Sequence, residues 1–212
     1  MADLIGDFHF AREPVALPYL RVQKGMLSDI VPDDEFWSAY DALLYRDYLD
    51  MLPHLPKSCH GILDIGAGMA GIDALLHRHY DHHPKLMVLD GTDDPPVAAR
   101  YPNTFSNISA TRRFLAANGV NEVMPLVFPF EDEPQESSVD LVVSFAAWCF
   151  HFPAFMYLPL VMHALAPGGT VIVDFRRNSP KHGLEWMCAN LHPGPVIRTT
   201  AKSERRVFWR TL

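Results

Sequence analysis

The chain has 212 residues, 49% hydrophobic and 20% charged, enough to bury one sizeable core and too few for two full α/β domains. A net charge of −7 argues against a long non-specific nucleic-acid groove, although residues 176–212 hold eight Lys or Arg against Glu185 and Glu204 and so leave room for a local anion site at Arg176, Arg177, Lys181, Arg205 and Arg206, with a solvated face, or for the hairpin arginines a blunted sheet edge, as the plainer alternative. No run approaches the length of apolar sequence a membrane span requires, and "MADLIGDFHFAREP" has the pattern of neither a signal peptide nor a transit sequence, while the odd and scattered Cys59, Cys149 and Cys188 fit a reducing cytoplasm without a structural zinc.

Residues 1–31 mix aromatic and aliphatic side chains with Pro14 and Pro18 and show weak periodicity, an irregular arm. Asp33 and Asp34 then cap a helix in which Phe36, Tyr40, Leu43, Leu44 and Leu52 recur at helical spacing, ending near Pro53. "HGILDIG" is a short apolar strand, followed by a glycine turn and a helix bearing Ile72, Leu75 and Leu76. "KLMVLD" is a buried strand ending at Asp90, "FSNISATRRFLAANG" a helix closed by Gly119, and "EVMPLVF" and "VDLVVSFAAW" are two more strands. "AFMYLPLVMHAL" is a helix stopped by "APGG", which turns the chain into "TVIVDF". This alternation predicts a doubly wound α/β fold, parallel strands with helices on both faces. After a helix at "GLEWMCANL", the strands "PVIRTTA" and "RRVFWRTL" are separated only by "KSE" and must pair as an antiparallel hairpin. A terminal hairpin departs from the two-fold dinucleotide fold, whose second half repeats the first.

Gly66, Gly68 and Gly71 have the spacing G-x-G-x-x-G, which lets a backbone turn tightly and approach a ligand in front of a helix N-terminus. The motif alone does not choose a cofactor. Asp64 does: a carboxylate at the mouth of the loop repels the pyrophosphate of a dinucleotide and attracts the α-ammonium of S-adenosylmethionine. Asp90, at the end of the second strand, suits the ribose hydroxyls of an adenosine ligand of either kind. Only about 56 residues precede the first strand, too few for the substrate domain of a typical dehydrogenase.

With "LDIGAGMAG", "LMVLDGTD", "FPFEDEPQESSVDLVVS" and "LAPGGTVIVDF", the sequence resembles the class I S-adenosylmethionine-dependent methyltransferases over about residues 58–212. The resemblance implies a mostly parallel seven-stranded sheet forming a methyltransferase domain over 57–212, with residues 1–56 as an arm and helical cap over the active site. It implies S-adenosyl-L-methionine as cofactor, leaving as S-adenosyl-L-homocysteine, and contacts to it from Asp64, Gly66, Ala67, Gly68, Asp90, Gly91 and Ser144. Residues after the third strand border the adenine in such enzymes, which here gives Phe130 and Glu131, with Asp132 beside them. Those after the fourth, "SFAAWCFHFP", face the transferred methyl. There Trp148 would form an aromatic wall attracting the sulfonium, with a place in the core as the plainer alternative. His151 is suited to act as a base near neutral pH, with a packing or solvent-facing role as its alternative. Cys149 follows Trp rather than Pro, so the Pro-Cys nucleophile of cytosine-C5 methyltransferases is absent, as is an Asn-Pro-Pro-Tyr signature. In "HRHYDHHP", His79 and His83 stand i, i+4, but the run reads as an exposed helix end and loop without a metal.

The aromatic arm residues Phe8, Phe10, Tyr19, Phe36, Trp37 and Tyr40 suggest a lid suited to a small, partly apolar acceptor. The expectation is a cytoplasmic methyltransferase acting on oxygen or nitrogen of a small molecule. Alternatives are a nucleic-acid or protein acceptor, a non-catalytic S-adenosylmethionine-binding accessory protein and, disfavoured by Asp64 and the hairpin, an NAD-dependent reductase.

Overall fold

"GILDI" forms β1 (Gly61–Ile65), a strand buried at every position, as a central parallel strand covered on both faces must be. The computed structural model describes residues 8–24, 32–90, 108–127, 134–177 and 183–212. Strand β1 pairs in parallel with β2 (Lys85–Asp90) on one side and, across the sheet, with β4 (Val139–Ser144) on the other. Strand β3 (Val123–Val127) extends the sheet beyond β2 and β5 (Leu165–Arg176) beyond β4, both parallel. The hairpin of β6 (His192–Thr199) and β7 (Ser203–Trp209) adds antiparallel strands, with β7 against β5, giving the order β3-β2-β1-β4-β5-β7-β6. The chain therefore has the seven-stranded, doubly wound α/β architecture expected of it.

Side-chain alternation along the strands sorts the core into two clusters. Ile62, Leu141, Val143, Ile172 and Val207 pack with α1 (Leu17–Lys24), α2 (Asp33–Met51), α3 (Gly71–His79) and α4 (Ile108–Ala117). Leu63, Ile65, Val142, Val171, Val173 and Phe208 pack with α5 (Ala154–Ala164) and α6 (Leu184–Asn190). By this alternation Asp64 belongs to the first face, beneath α2 and α3.

The arm joins that first cluster as packing. Phe10 stacks on Phe114 of α4 at 5.7 Å and Trp37 does so at 6.2 Å, with Tyr40 edge-on between them. Phe10, Phe36, Trp37 and Tyr40 are all buried. Their rings are spent on one another and on α4 rather than held open toward an acceptor, and Phe8 and Tyr19 lie half-buried against the same cluster.

Three expectations change. "APGG" is not a turn between helix and strand: β5 begins directly after α5, and the extra residues are absorbed as an irregularity in its pairing with β4, with Gly168 at φ +77° donating its N–H to Arg210 O. The histidine run is not wholly exposed, because His77 is buried with its Nδ1 2.9 Å from that of His82, and His79 Nδ1 lies 2.8 Å from the Tyr48 hydroxyl. The hairpin arginines do not merely form a solvated face or blunt an edge. Arg205 is buried, its guanidinium donating to both carboxylate oxygens of Asp174 at 2.8 and 3.1 Å, lying 3.6 Å from Asp47 of α2, and stacking over the Phe145 ring at 3.5 Å. Arg198 on β6 pairs with Asp47 and Asp50 of the same helix.

Removing one partner from such a buried ionic network leaves charges desolvated and unpaired. Arg205→Met should lower the stability measured by urea unfolding by about 3–5 kcal/mol. Arg206→Met, which breaks only the partly exposed pair with Glu204, should cost no more than about 1 kcal/mol.

Candidate functional site

The C-terminal ends of β1, β2 and β4 bring together most of the described site candidates. The chain leaves β1 through a loop tied to β2: Gly66 N and Ala67 N both donate to Leu89 O, at 2.7 and 3.3 Å. The glycines of the motif have three different reasons to be there. Gly66 sits at φ +77°, and a Cβ on it would stand 2.1 Å from the Cβ of Ala147, so it lets the β1 loop touch the β4 loop. Gly68 sits at φ +58°; its N–H donates to the Asp90 carboxylate and its carbonyl accepts the Thr111 hydroxyl of α4 at 2.7 Å. Gly71 opens α3 where a Cβ would lie 2.1 Å from the Tyr40 hydroxyl and 2.3 Å from Leu44 Cδ1. The third glycine thus admits the cap helix α2, a role its spacing in the motif does not reveal.

Asp64 lies one residue from the C-terminal end of β1, in register with Val88 and Val143, and is buried. Asp73, in the first turn of α3, is wholly buried, and among the described residues neither of its oxygens has a hydrogen-bond partner. Burial pushes the Asp73 carboxyl up to about 7, and the adjoining Asp64 carboxyl pulls it partly back down. Burial together with the charges of Asp73, Asp41 and Asp47 raises the Tyr40 phenol, which therefore stays neutral.

Beyond β4, Ser144 is wholly buried and its hydroxyl is used internally, donating to Ile65 O at 2.6 Å and accepting Trp148 N at 2.9 Å. This differs from the expected cofactor contact: Ser144 braces the end of β1 against the β4 loop. Trp148 likewise has no face open to a sulfonium. It is buried in the second cluster with its Nε1 donating to Ala154 O at 2.9 Å, which gives it the core alternative. Cys149 is buried beside it, and burial raises its thiol well above the usual range, leaving an unreactive group. His151 is exposed in this turn, its N–H donating to Ala147 O at 2.7 Å and its ring 4.9 Å from that of Phe150. Ala70, Ala146 and Cys149 all have left-handed backbone, at φ 55°, 54° and 61°. Such conformations cost non-glycine residues about 1–3 kcal/mol each and collect where a surrounding structure holds them for a purpose.

Gly91, Phe130, Glu131 and Asp132 lie outside the described residues. Among the described residues there is no group of three or more His, Cys, Asp or Glu that could hold a metal, and no helix long and apolar enough to cross a membrane. Sequence reasoning missed Asp73, because an acid in a helix's first turn reads as a capping residue, and it read Tyr40 as a lid aromatic, where the structure sets its hydroxyl against Gly71.

No family model matches the chain, and no curated protein matches it by sequence. Its fold, however, is shared with solved methyltransferases. An S-adenosylmethionine-dependent methyltransferase from Aquifex aeolicus is 13% identical, with a TM-score of 0.55 over 81% of this chain and 97% of that one. A geranyl diphosphate methyltransferase in complex with GPP and sinefungin is 14% identical, with a TM-score of 0.59 over 94% of this chain and 95% of that one. A geranyl diphosphate C-methyltransferase from Streptomyces coelicolor, bound to geranyl diphosphate and S-adenosyl-L-homocysteine, is 12% identical, with a TM-score of 0.55 over 99% of this chain and 93% of that one. The architecture is the class I methyltransferase fold.

Two measurements test the site's physics. Gly71→Ala should destabilise by about 1–3 kcal/mol through its contact with Tyr40 and Leu44, and Tyr40→Phe in the same chain should recover part of that loss in thermal melts. Because the folded Asp73 carboxyl is raised, the folded state holds a proton the unfolded chain has lost; its contribution is full below about pH 4 and falls as pH rises toward about 7, by at most about 1.4 kcal/mol per unit. Asp73→Asn should therefore gain stability relative to wild type as melts are taken from about pH 5 to pH 8.

Proposed function

We propose that this chain is an S-adenosyl-L-methionine-dependent methyltransferase whose acceptor is an oxygen or nitrogen of a small molecule. The observation that carries the reading is the buried pair Asp64 and Asp73 beside the glycine loop, in a fold shared with S-adenosylmethionine-dependent enzymes. A buried carboxylate pair lacking a protein donor at Asp73 suits a ligand that brings an ammonium or a sulfonium, and repels one that brings a pyrophosphate. Two positive-φ glycines and the Leu89 carbonyl shape the loop beside that charge, and Asp90 at the end of β2 is the residue for the ribose hydroxyls.

The cofactor supplies an activated methyl group on a cationic sulfur. The chain's own part is to hold and orient. Asp64 and the loop of Gly66, Ala67 and Gly68 fix the amino-acid end, and Asp90 the ribose. His151, exposed in the turn after β4, is the residue available to take a proton from an acceptor hydroxyl or amine. Of the basic residues that could serve an anionic acceptor, Arg205 and Arg206 pair with acids of β5 and β7, while Arg176 and Arg177 are exposed. A carbon acceptor is the second reading, because one of the similar folds is a C-methyltransferase.

Titration calorimetry with S-adenosylmethionine, S-adenosylhomocysteine and NAD tests the assignment. The first two should bind and NAD should not, and Asp90→Ala should weaken binding by about 10- to 100-fold, as loss of a hydrogen bond to a charged group does. Binding of NAD alone would return the glycine loop to the dinucleotide family. With an acceptor in hand, His151→Ala should lower kcat by about 10²–10⁴-fold and leave S-adenosylhomocysteine affinity unchanged if the acceptor is oxygen or nitrogen; an unaffected kcat removes His151 from the reaction.

A further inference from the structure

The turn that follows β4 is tied to the end of β5. Arg176, the last residue of that strand, donates its N–H to Cys149 O at 3.1 Å, and its guanidinium lies over the Phe150 ring, 5.0 Å from the centroid. The His151 ring is 4.9 Å from that same phenyl ring. Arg176 is exposed, and among the described residues no acid pairs with it, whereas Arg198, Arg205 and Arg206 each hold a carboxylate. Its neighbour Arg177 is drawn to the hairpin, with its N–H on Lys202 O at 2.9 Å and its guanidinium on Thr200 O at 3.1 Å. An arginine held over a ring keeps its fork of N–H donors for a planar anion, which it grips through two parallel bonds. The same rim carries two large rings in solvent. Phe155, in the first turn of α5, is 56% exposed and Trp186, in the first turn of α6, is 52% exposed, and their centroids are 6.2 Å apart. Trp186 is seated there by Gly183, at φ +58°, where a Cβ would stand 2.7 Å from its Cδ1. Between Phe150 and Phe155 the chain folds back on itself, Cys149 N donating to Phe152 O at 2.8 Å, which keeps cation and rings together. Glu185, exposed beside Trp186, puts a negative charge at the ring end, so an anion is attracted at the Arg176 end alone.

We propose that Arg176 selects the acceptor: it grips the carboxylate of a small molecule whose apolar body lies on Phe155 and Trp186 and whose reacting hydroxyl or amine is thereby held at His151. The inference rests on the S-adenosylmethionine reading and names the class of acceptor that reading leaves open, an apolar carboxylic acid. A cation without an acid beside a surface pair of large rings matches a ligand with one anionic group and an apolar remainder. One guanidinium, with Arg177 drawn off to the hairpin, answers one negative charge, which favours a carboxylate over the greater charge of a phosphate. Neither the carboxylate nor the apolar body reacts. Arg176 therefore acts on binding and alignment, while the proton stays the business of His151. Because Arg176 is exposed, its contribution must weaken as salt is raised.

Titration of the protein loaded with S-adenosylhomocysteine against paired probes tests this: para-hydroxyphenylpropionate, hydroxyoctanoate and para-aminophenylacetate, each beside its own primary amide, and the phosphonate matched to the first. The wild-type protein should bind at least one acid about tenfold or more tighter than its amide, as a hydrogen bond to a charged group does, and the ratio should shrink with added salt. Arg176→Gln should erase that ratio and Arg176→Lys keep part of it, both with S-adenosylhomocysteine affinity unchanged. Trp186→Ala should weaken acid and amide alike and leave the ratio intact, which separates the apolar seat from the anion seat. No acid preferred over its amide, a preference that survives Arg176→Gln, or the phosphonate bound tighter than its acid overturns the proposal and leaves the cofactor assignment standing. Absence of S-adenosylhomocysteine binding overturns the cofactor assignment and this inference with it.

Discussion

A carboxylate within a strand with no solvent face is the constraint around which the rest is arranged. Asp64 stands between two parallel ladders, where an apolar residue would cost nothing and an unanswered charge several kcal/mol. Nothing about making a sheet asks for it. The start of α3, on the same face, favours negative charge through its unpaired N–H ends. The loop between them is bent by Gly66 and Gly68 and strained at Ala70, so its backbone is fixed close to the acid.

Helix α2 ties this centre to the far edge of the sheet. One face sets the Tyr40 hydroxyl against Gly71, at the loop; further along, Asp47 and Asp50 meet the arginines of the hairpin, and Arg205 continues to Asp174 and the Phe145 ring after β4. Sheet, cap and hairpin are thereby joined through the same few residues. Their polar groups are expensive in the interior and accordingly specific about partners.

Much of this was legible before any coordinates. Strands such as "GILDI" and "KLMVLD" announce themselves because parallel strands buried on both faces must be apolar throughout, and the three-residue gap in the C-terminal pair leaves no connection but a hairpin. The placement of Asp64, Gly66, Gly68 and Asp90 at one end of the sheet follows from the same periodicity. What escaped depends on contacts between distant segments. Spacing could not show that the Ser144 hydroxyl turns inward to Ile65, that Trp148 is held by Ala154, or that a helical acid such as Asp73 ends up against a strand acid. Arg205 misled for a related reason: charge runs are read as surface, and only a partner from another element makes burial affordable.

The contact between Gly71 and Tyr40 bears on how such a protein changes over generations. An N-terminal segment set on top of a finished sheet is easily pictured as an exchangeable accessory. Here it is not interchangeable. A foreign segment would have to bring a hydroxyl-bearing ring of the right reach for the hollow over Gly71 and, less than two helical turns later, an acid for two arginines it had never met. The glycine and the helix above it constrain each other, so a change at either must be matched at the other.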